Sequence, residues 1–259
     1  MPSGWAGGLT SMLDVAAIEK HLGEDAGLVG PIRALTSVSS TNDIAWAWAA
    51  AGCAEGAAFF AEEQVLGRGR FGRTWACPRG GGLLLSLVLR PADPAITPVH
   101  LTAMASLAAA EAVERAAGLT TAIRWPNDVT VAGRKMAGVL VERRGAAAST
   151  ACVVGVGLNV NVAVTDFPVE LRETATSLLA VAGRLFEREA VAAAWRARCA
   201  LVGEQVEVVE SAGKPTRGCV VNVDPLAGIE LELRSGKRRV FAAERATVTL
   251  PPSHETVGA

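Results

Sequence analysis

The chain has 259 residues, of which 50% are hydrophobic and 20% are charged, and its formal net charge is -1. This length is enough for one large domain and one small one, and the near-neutral charge excludes a global basic field of the kind that collects nucleic acid. The sequence contains neither a run of about 18 apolar residues nor a basic signal peptide. We therefore expect a cytoplasmic protein that binds neither DNA nor a membrane.

Cysteine and histidine give no sign of a metal or nucleophilic centre. The odd number of cysteines and their wide spacing argue against a zinc knot or a disulfide framework, and favour reduced, mostly buried thiols. The five are Cys53, Cys77, Cys152, Cys199 and Cys219. Neither His21 nor His100 stands in a recognisable catalytic context.

The predicted elements mix helices and strands without a regular βαβ repeat. A serine or threonine hydroxyl can cap the first helix, and glycine stops the second. The strand after Gly82 is a short, continuous apolar run, as expected for a buried strand. The elements of the first half are a helix from Ser40 or Thr41 to near Gly52, strands over 57–64 and 83–89, and a helix over 101–118.

The second half begins with a predicted hairpin over 129–142, whose turn lies near Ala132-Gly133. A strand over 151–162 and a last helix over 190–203 follow. Beyond them come short alternating segments, with turns at Asp224-Pro225 and Ser235-Gly236. We place a domain boundary near 203–206, which gives a large α+β domain over 1–205 and a small β-barrel over 206–259.

The segment GRGRFGRTW, residues 67–75, is the strongest chemical signal. Glycine lets backbone N–H groups approach an anion, and arginine supplies planar donors that match phosphate and carboxylate oxygens. The residues that alternate here are Gly67, Arg68, Gly69, Arg70, Gly72 and Arg73. Such a loop suits a phosphate-containing ligand. The same residues would also be found in a flexible surface loop or in an Arg/Gly patch that binds nucleic acid.

Three further segments carry polar residues in apolar surroundings. RWPND, residues 124–128, precedes Lys135 and Gly138 in the hairpin, so that Asp128 and Lys135 face each other across a turn. Taken alone, this pair is more often a surface salt bridge. The other two segments are SSTN, residues 39–42, and GVGLNVN, residues 155–161.

In this order, SSTN, Gln64 with GRGRFGRTW, RWPNDVTVAGRKMAGVLVE and GVGLNVN resemble the biotin–protein ligase family, over about residues 36–250. Arg124 stands where the family usually has lysine, and Phe71 replaces an arginine often found in the loop. The resemblance implies a mixed or antiparallel sheet flanked by helices, of the class II synthetase-like biotin–lipoate ligase fold, with a small C-terminal SH3-like barrel. Only 38 residues precede SSTN, so we expect the ligase-only class without a DNA-binding domain.

The activity implied by the resemblance is ATP-dependent formation of biotinyl-5'-AMP, with Mg²⁺, followed by transfer of biotin to a lysine. The expected partner is a biotin carboxyl carrier domain of an acyl-CoA or pyruvate carboxylase, and the expected assembly is a monomer or a weak homodimer. By resemblance the catalytic residues are Lys135, Arg70 and Asp128. We expect the 67–75 loop to be mobile without ligand and to fold over the adenylate.

The resemblance also implies two overlapping sets of binding residues. Biotin is expected to contact Ser40, Thr41, Asn42, Gln64, Gly67, Arg68, Gly69, Arg70, Lys135, Gly138 and Leu140. ATP and the adenylate are expected to contact Arg68, Arg70, Arg73, Trp75, Asn127, Asp128, Lys135 and Asn159. Trp75 would pack on the adenylate and exclude water.

Two alternatives stay open at this point. A lipoate or octanoate ligase or transferase shares the fold and also acylates a lysine, but lacks the GRGRxGR loop. An RNA-binding module could use the Arg/Gly contacts, although the near-neutral charge and the single arginine cluster disfavour it.

Overall fold

A computed structural model describes residues 12–23, 30–91, 96–145, 151–198, 205–210, 216–224, 228–241 and 246–249. The helices are α1 Val15–Leu22, α2 Thr41–Ala50, α3 Pro98–Ala117, α4 Leu178–Ala182 and α5 Arg188–Arg198. The first seven strands are β1 Ile32–Leu35, β2 Ala58–Ala61, β3 Gly82–Leu89, β4 Ala122–Arg124, β5 Asp128–Val131, β6 Arg134–Arg144 and β7 Ala151–Asn159. The remaining strands are β8 Gln205–Glu210, β9 Thr216–Asp224, β10 Gly228–Leu233, β11 Arg238–Phe241 and β12 Ala246–Thr249.

The strands form one sheet in the order β1-β2-β3-β7-β6-β5-β4-β12-β8-β9-β10-β11. Strand β1 pairs with β2 in parallel, while β2 with β3 and β3 with β7 are antiparallel. Helices α1, α3 and α5 pack together on one face of the first seven strands, and α2 packs on the other. The prediction of a mixed sheet flanked by helices is confirmed.

Burial on both faces explains the sequence of β3. All eight residues of this strand are buried, because it lies between β2 and β7 with helices above and below. A strand covered on both faces has no reason to alternate apolar and polar residues. The only polar side chain of its apolar run, Ser86, points toward α2 and bonds two of its residues.

Several predicted boundaries are confirmed by the structure. Helix α3 ends at Gly118, which takes the left-handed conformation with a φ of 66°. The β5–β6 hairpin turns at Ala132 and Gly133, whose φ values are 48° and 77°, as a tight two-residue turn requires. The turn at Ser235-Gly236 is also present. The predicted end of the last helix at Gly203 and the complete Asp224-Pro225 turn lie outside the described residues.

The sequence analysis missed four short elements. Helix α1 has 8 residues, α4 has 5, β1 has 4 and β4 has 3. Elements of this length carry too few apolar positions for a period to stand out. Helix α1 packs on α5, the Ser177 side chain caps α4, and β1 and β4 each pair with a neighbouring strand.

The C-terminal strands continue the main sheet through β12, which pairs with both β8 and β4. A small apolar cluster joins them to α3 and β4, and it consists of Ala103, Ile123, Leu231 and Phe241. Within the described ranges, the pairings do not close these strands into a barrel. The SH3-like barrel and the division into domains therefore stay predictions. None of the described helices is long and apolar enough to cross a membrane.

Candidate functional site

Two cavities lie side by side over β6 and β7, under the 67–75 loop. The smaller cavity has about 460 Å³ of empty space, counted to its open mouth, and the larger has about 1030 Å³. They share a wall made of Gly69, Arg70, Trp75, Asn127 and Lys135. The loop and the hairpin lysine are distant in sequence but meet at the boundary between the two cavities.

The start of α2 forms one side of the smaller cavity. Ser40 is the residue that caps this helix by position, but its hydroxyl makes no capping hydrogen bond. Instead the Gln64 side-chain oxygen accepts hydrogen bonds from the Thr41 N–H at 2.8 Å and from the Thr41 hydroxyl at 3.0 Å. With its oxygen engaged in this way, Gln64 can offer its NH₂ group to a ligand.

Asn42 is buried and held at both ends of its amide. Its Nδ2 donates to Glu142 at 2.7 Å, and its Oδ1 accepts from the Ser86 hydroxyl at 2.6 Å. Gly155 makes this packing possible, because a Cβ there would collide with the Asn42 amide oxygen. One further amide hydrogen and one further lone pair of Asn42 remain for a ligand.

A chain of hydrogen bonds links Lys135 to the 67–75 loop. The Lys135 ammonium lies 2.7 Å from Asp128 Oδ1, which also accepts from Asn127 Nδ2 at 2.8 Å. The Asn127 side-chain oxygen in turn accepts from Arg70 at 3.0 Å. The Trp125-Pro126 peptide bond, directly before Asn127 and Asp128, is cis. The three residues expected to be catalytic, Lys135, Arg70 and Asp128, are therefore in one connected network.

A β-bulge between β5 and β6 sets the direction of the lysine. Val129 pairs with Ala137 while Thr130 pairs with Lys135, so β6 carries one extra residue there. This shift brings Lys135 and Gly138 to the same face although they are three residues apart. The segment after the 3₁₀ turn at Val169–Leu171 fixes the strand. The Lys135 N–H donates to Thr174 O at 2.7 Å, and Lys135 O accepts from the Thr176 N–H at 2.8 Å.

The 67–75 loop has internal structure. The Gly69 N–H donates to Arg73 O at 2.7 Å and the Trp75 N–H donates to Gly67 O at 2.9 Å, which makes a small hairpin. At its tip Phe71 is 86% exposed and has a φ of 57°. The Arg70 guanidinium lies 4.9 Å from the Phe71 ring centre. Phe71 thus packs against the neighbouring arginine of the loop.

The three arginines of the loop have different surroundings. Arg68 lines the smaller cavity and donates two hydrogen bonds to Asp43, at 2.9 and 2.7 Å. This bonded guanidinium lowers the pKa of Asp43, and Asp43 raises the pKa of Arg68. Arg70 lies in the shared wall, and Arg73 lines only the larger cavity. The loop therefore spreads its positive charge along both cavities.

The Trp75 ring lies directly on a glycine pair of the sheet. Gly138 and Gly157 are opposite each other on β6 and β7, and a Cβ on either would meet the indole. Its Nε1 is buried without a hydrogen-bond partner among the described residues. Gly67 is also packed against Trp75, since a Cβ there would lie 2.5 Å from its carbonyl oxygen. Gly67 is the one predicted site residue that lines neither cavity.

Asn159 lies deep in the larger cavity. Its Nδ2 donates to Thr176 O at 3.0 Å, whereas its Oδ1 is buried and has no partner in the described part of the chain. A buried acceptor left without a donor is costly. It is therefore a position where a ligand donor or a cation would be favourable.

Sequence reasoning missed three polar residues of the smaller cavity's surroundings, namely Asp43, Ser86 and Glu142. Ser86 had a usable signal, because it is the only polar residue within a run of apolar ones. Asp43 and Glu142 had none, since a carboxylate beside an apolar segment is usually a solvated surface group.

Cysteine and histidine side chains lie outside this arrangement. No group of three or more His, Cys, Asp or Glu side chains converges anywhere in the described ranges. Cys77 follows the loop and is packed against Gly82, and burial raises the pKa of its thiol to about 12. His100 closes a capping box at the start of α3, and His21 pairs with Glu187.

Comparison with known proteins agrees with this geometry. The profile of the biotin/lipoate A/B protein ligase family matches residues 34–159. The chain is 36% identical over 239 residues to the biotin–[acetyl-CoA-carboxylase] ligase of Mycobacterium tuberculosis, covering 81% of this chain and 85% of that protein. The chain belongs to the biotin–protein ligase family.

Some relatives match this chain over only part of their own length. The chain is 39% identical over 155 residues to the bifunctional ligase/repressor BirA of Bacillus subtilis, covering 60% of this chain and 48% of that protein. It thus spans about half the length of this relative. Among solved structures, the biotin protein ligase from Aquifex aeolicus in complex with biotin and ATP superposes with a TM-score of 0.59 at 24% identity, covering 85% of this chain and 99% of that one. At this identity the likeness shows the fold alone.

Proposed function

We propose that the protein is an ATP-dependent biotin–protein ligase that forms biotinyl-5'-AMP and transfers biotin to a lysine of an acceptor domain. The observation that carries the proposal is the position of Lys135 in the wall shared by the two cavities. A carboxylate bound in one cavity and a nucleotide bound in the other would meet at its ammonium group. The relatives named as biotin–[acetyl-CoA-carboxylase] ligases support the same reading.

The smaller cavity suits the uncharged head of biotin. A ureido group needs both donors and acceptors, because its amide-like atoms are costly when buried unpaired. Ser40, Thr41, Asn42 and Gln64 line this cavity and supply both kinds of group. Leu140 and Val156 add apolar surface for the rest of the ligand. The charge of Arg68 there is balanced by Asp43.

The larger cavity suits the nucleotide. Arg73 supplies positive charge for phosphates, Asn127 and Asp128 lie beside Lys135, and Asn159 offers its unpaired oxygen. In the first step a biotin carboxylate oxygen bonds to the α-phosphorus of ATP, the bond to the departing oxygen breaks, and pyrophosphate leaves. Lys135 would hold the carboxylate and the α-phosphate together, since two anions approach each other only beside a cation.

Magnesium would enter this cavity together with ATP. Mg²⁺ usually binds through one or two protein oxygens plus substrate phosphates, and the free Asn159 Oδ1 and the Asp128 carboxylate fit that requirement. The ion would neutralise charge on the departing pyrophosphate. Asp128 would also keep the Lys135 ammonium aimed at the shared wall.

The transfer step needs little further chemistry from this chain. The lysine amine of the acceptor attacks the acyl carbon of the mixed anhydride, and AMP leaves. The 67–75 loop and Trp75 would keep water away until then. We infer that the acceptor is a biotin carboxyl carrier domain of an acyl-CoA or pyruvate carboxylase. We further propose that this protein is a cytoplasmic monomer or weak homodimer that does not bind DNA, and that its C-terminal region over 206–259 closes into an SH3-like barrel.

The test is ATP–pyrophosphate exchange with the purified full chain, measured with biotin, lipoate and octanoate side by side. Of the three acids, we expect only biotin to support exchange. When a carrier domain is added, we expect biotin to be transferred to it. Exchange with lipoate or octanoate but not biotin would assign the chain to the related lipoate or octanoate enzymes. Absence of exchange with all three acids would overturn the proposal.

A further inference from the structure

The 67–75 loop is anchored to two different walls of the site. Arg70 reaches the turn that carries Asp128, through Asn127 at 3.0 Å. Arg68 instead reaches the first turn of α2, where both oxygens of Asp43 accept its hydrogen bonds at 2.9 and 2.7 Å. A two-bond contact between a guanidinium and a carboxylate fixes orientation as well as distance. The first half of the loop is therefore held over the smaller cavity by helix α2.

The surroundings of Asp43 make it the main partner of Arg68. Asp43 Oδ2 also accepts a hydrogen bond from the Ser39 hydroxyl at 3.1 Å, which further fixes the carboxylate. Glu142 lies farther from Arg68, at 3.7 Å, and accepts its short bond from Asn42. The lowered pKa of Asp43 keeps it ionised at neutral pH.

The pairing also changes what Arg68 can bind. Two of its five N–H donors are directed to Asp43, and its charge is balanced before any ligand enters. A phosphate would have to displace the carboxylate to take these two donors. The unmatched positive charge for an anion lies instead with Arg73 in the larger cavity.

We propose that Asp43 is a positioning residue for biotin retention, which latches Arg68 and the first half of the 67–75 loop to helix α2 over the smaller cavity. This inference rests on the proposed function. The Arg68–Asp43 pair, called the latch below, holds the loop against the side of the smaller cavity that helix α2 forms. The latch is made by this chain alone, so it should act on biotin before ATP is present.

The test is a chase experiment on the full chain without ATP, in which labelled biotin is displaced by excess unlabelled biotin. For Asp43→Asn we expect a dissociation rate about fivefold higher, the upper range for a partly exposed ion pair. Glu19→Gln, which removes an exposed carboxylate from α1, is the matched control and should leave the rate unchanged. The KM for ATP should be the same in all three proteins.

A double-mutant cycle separates the latch from a general loss of stability. Arg68→Gln should raise the biotin dissociation rate as much as Asp43→Asn, and the double variant should add nothing further. High salt should raise the wild-type rate toward that of the variants, because a half-exposed pair is screened. An unchanged rate in Asp43→Asn, or rates that multiply in the double variant, would overturn the latch. Failure of the wild-type chain to retain biotin at all would instead count against the proposed function.

Discussion

At the residue scale, the proposed chemistry depends on a single ammonium group. Lys135 lies 2.7 Å from Asp128 and 5.4 Å from the centre of the Trp75 ring, and it borders both cavities. Its charge is matched to the place where a carboxylate and a phosphate would react, and not to the ring system of either ligand. Binding and catalysis should therefore respond differently to its removal.

Lys135→Ala should lower the rate of adenylate formation by about a hundredfold or more, the usual cost of removing a group that stabilises transition-state charge. Biotin binding should change far less. The measurements are pyrophosphate release and equilibrium binding of biotin. Lys20→Ala, which removes an exposed lysine of α1, is the control. Wild-type pyrophosphate release in Lys135→Ala would remove the assignment.

At the scale of elements, the 67–75 loop connects the helix wall to the hairpin wall through Arg68 and Arg70. The two contacts should have separate effects, because they lie over different cavities. In the proposed mechanism, biotin and AMP are joined at the wall shared by the two cavities, where Arg70 lies.

Arg70→Gln should let biotinyl-adenylate escape about tenfold faster, the loss expected for a hydrogen bond to a charged group. Dissociation of the intermediate from the isolated complex is the measurement, with exposed Arg79→Gln as control. An unchanged off-rate of the intermediate would contradict the role of Arg70 in holding the phosphate.

The same loop should gain amide protection when the ligands bind. Gly69, Arg73 and Trp75 already donate backbone hydrogen bonds within it, so the gain should concentrate in the other amides of residues 67–75. Hydrogen exchange with and without biotin plus ATP, followed by mass spectrometry, measures this. Equal exchange in both states would rule out closure over the adenylate.

At the scale of the whole molecule, the C-terminal strands are joined to the rest by two features. One is the short pairing of β12 with β4, and the other is the cluster around Phe241, which is 1% exposed and packs with Ile123 and Leu231. Strand β4 leads directly into the Trp125-Pro126 turn and Asp128. The C-terminal strands thus support the strand that leads into the turn carrying Asp128.

Phe241→Ala should destabilise the protein by about 3 kcal/mol, as expected for removing a buried aromatic ring. Val240→Ala changes the adjacent residue, which is 52% exposed, and should cost well under half as much. Urea unfolding of both variants gives the comparison. Equal free energies of unfolding would mean that the cluster does not join the C-terminal strands to α3 and β4.

By itself, the sequence determined the features that depend on neighbouring residues. The apolar run of β3, the Ala132-Gly133 turn and the glycine end of α3 are local signals, and the order of the four motifs identified the family and the candidate residues. Only the tertiary structure decided which of those residues meet. The β-bulge that turns Lys135 and Gly138 to one face depends on the partner strand. Pairs such as Arg68 with Asp43 and Asn42 with Glu142 join segments 25 and 100 residues apart. Such contacts form when the strands and helices assemble, and they have no periodic pattern along the chain. The balanced charge of Arg68 therefore could not be predicted from its motif.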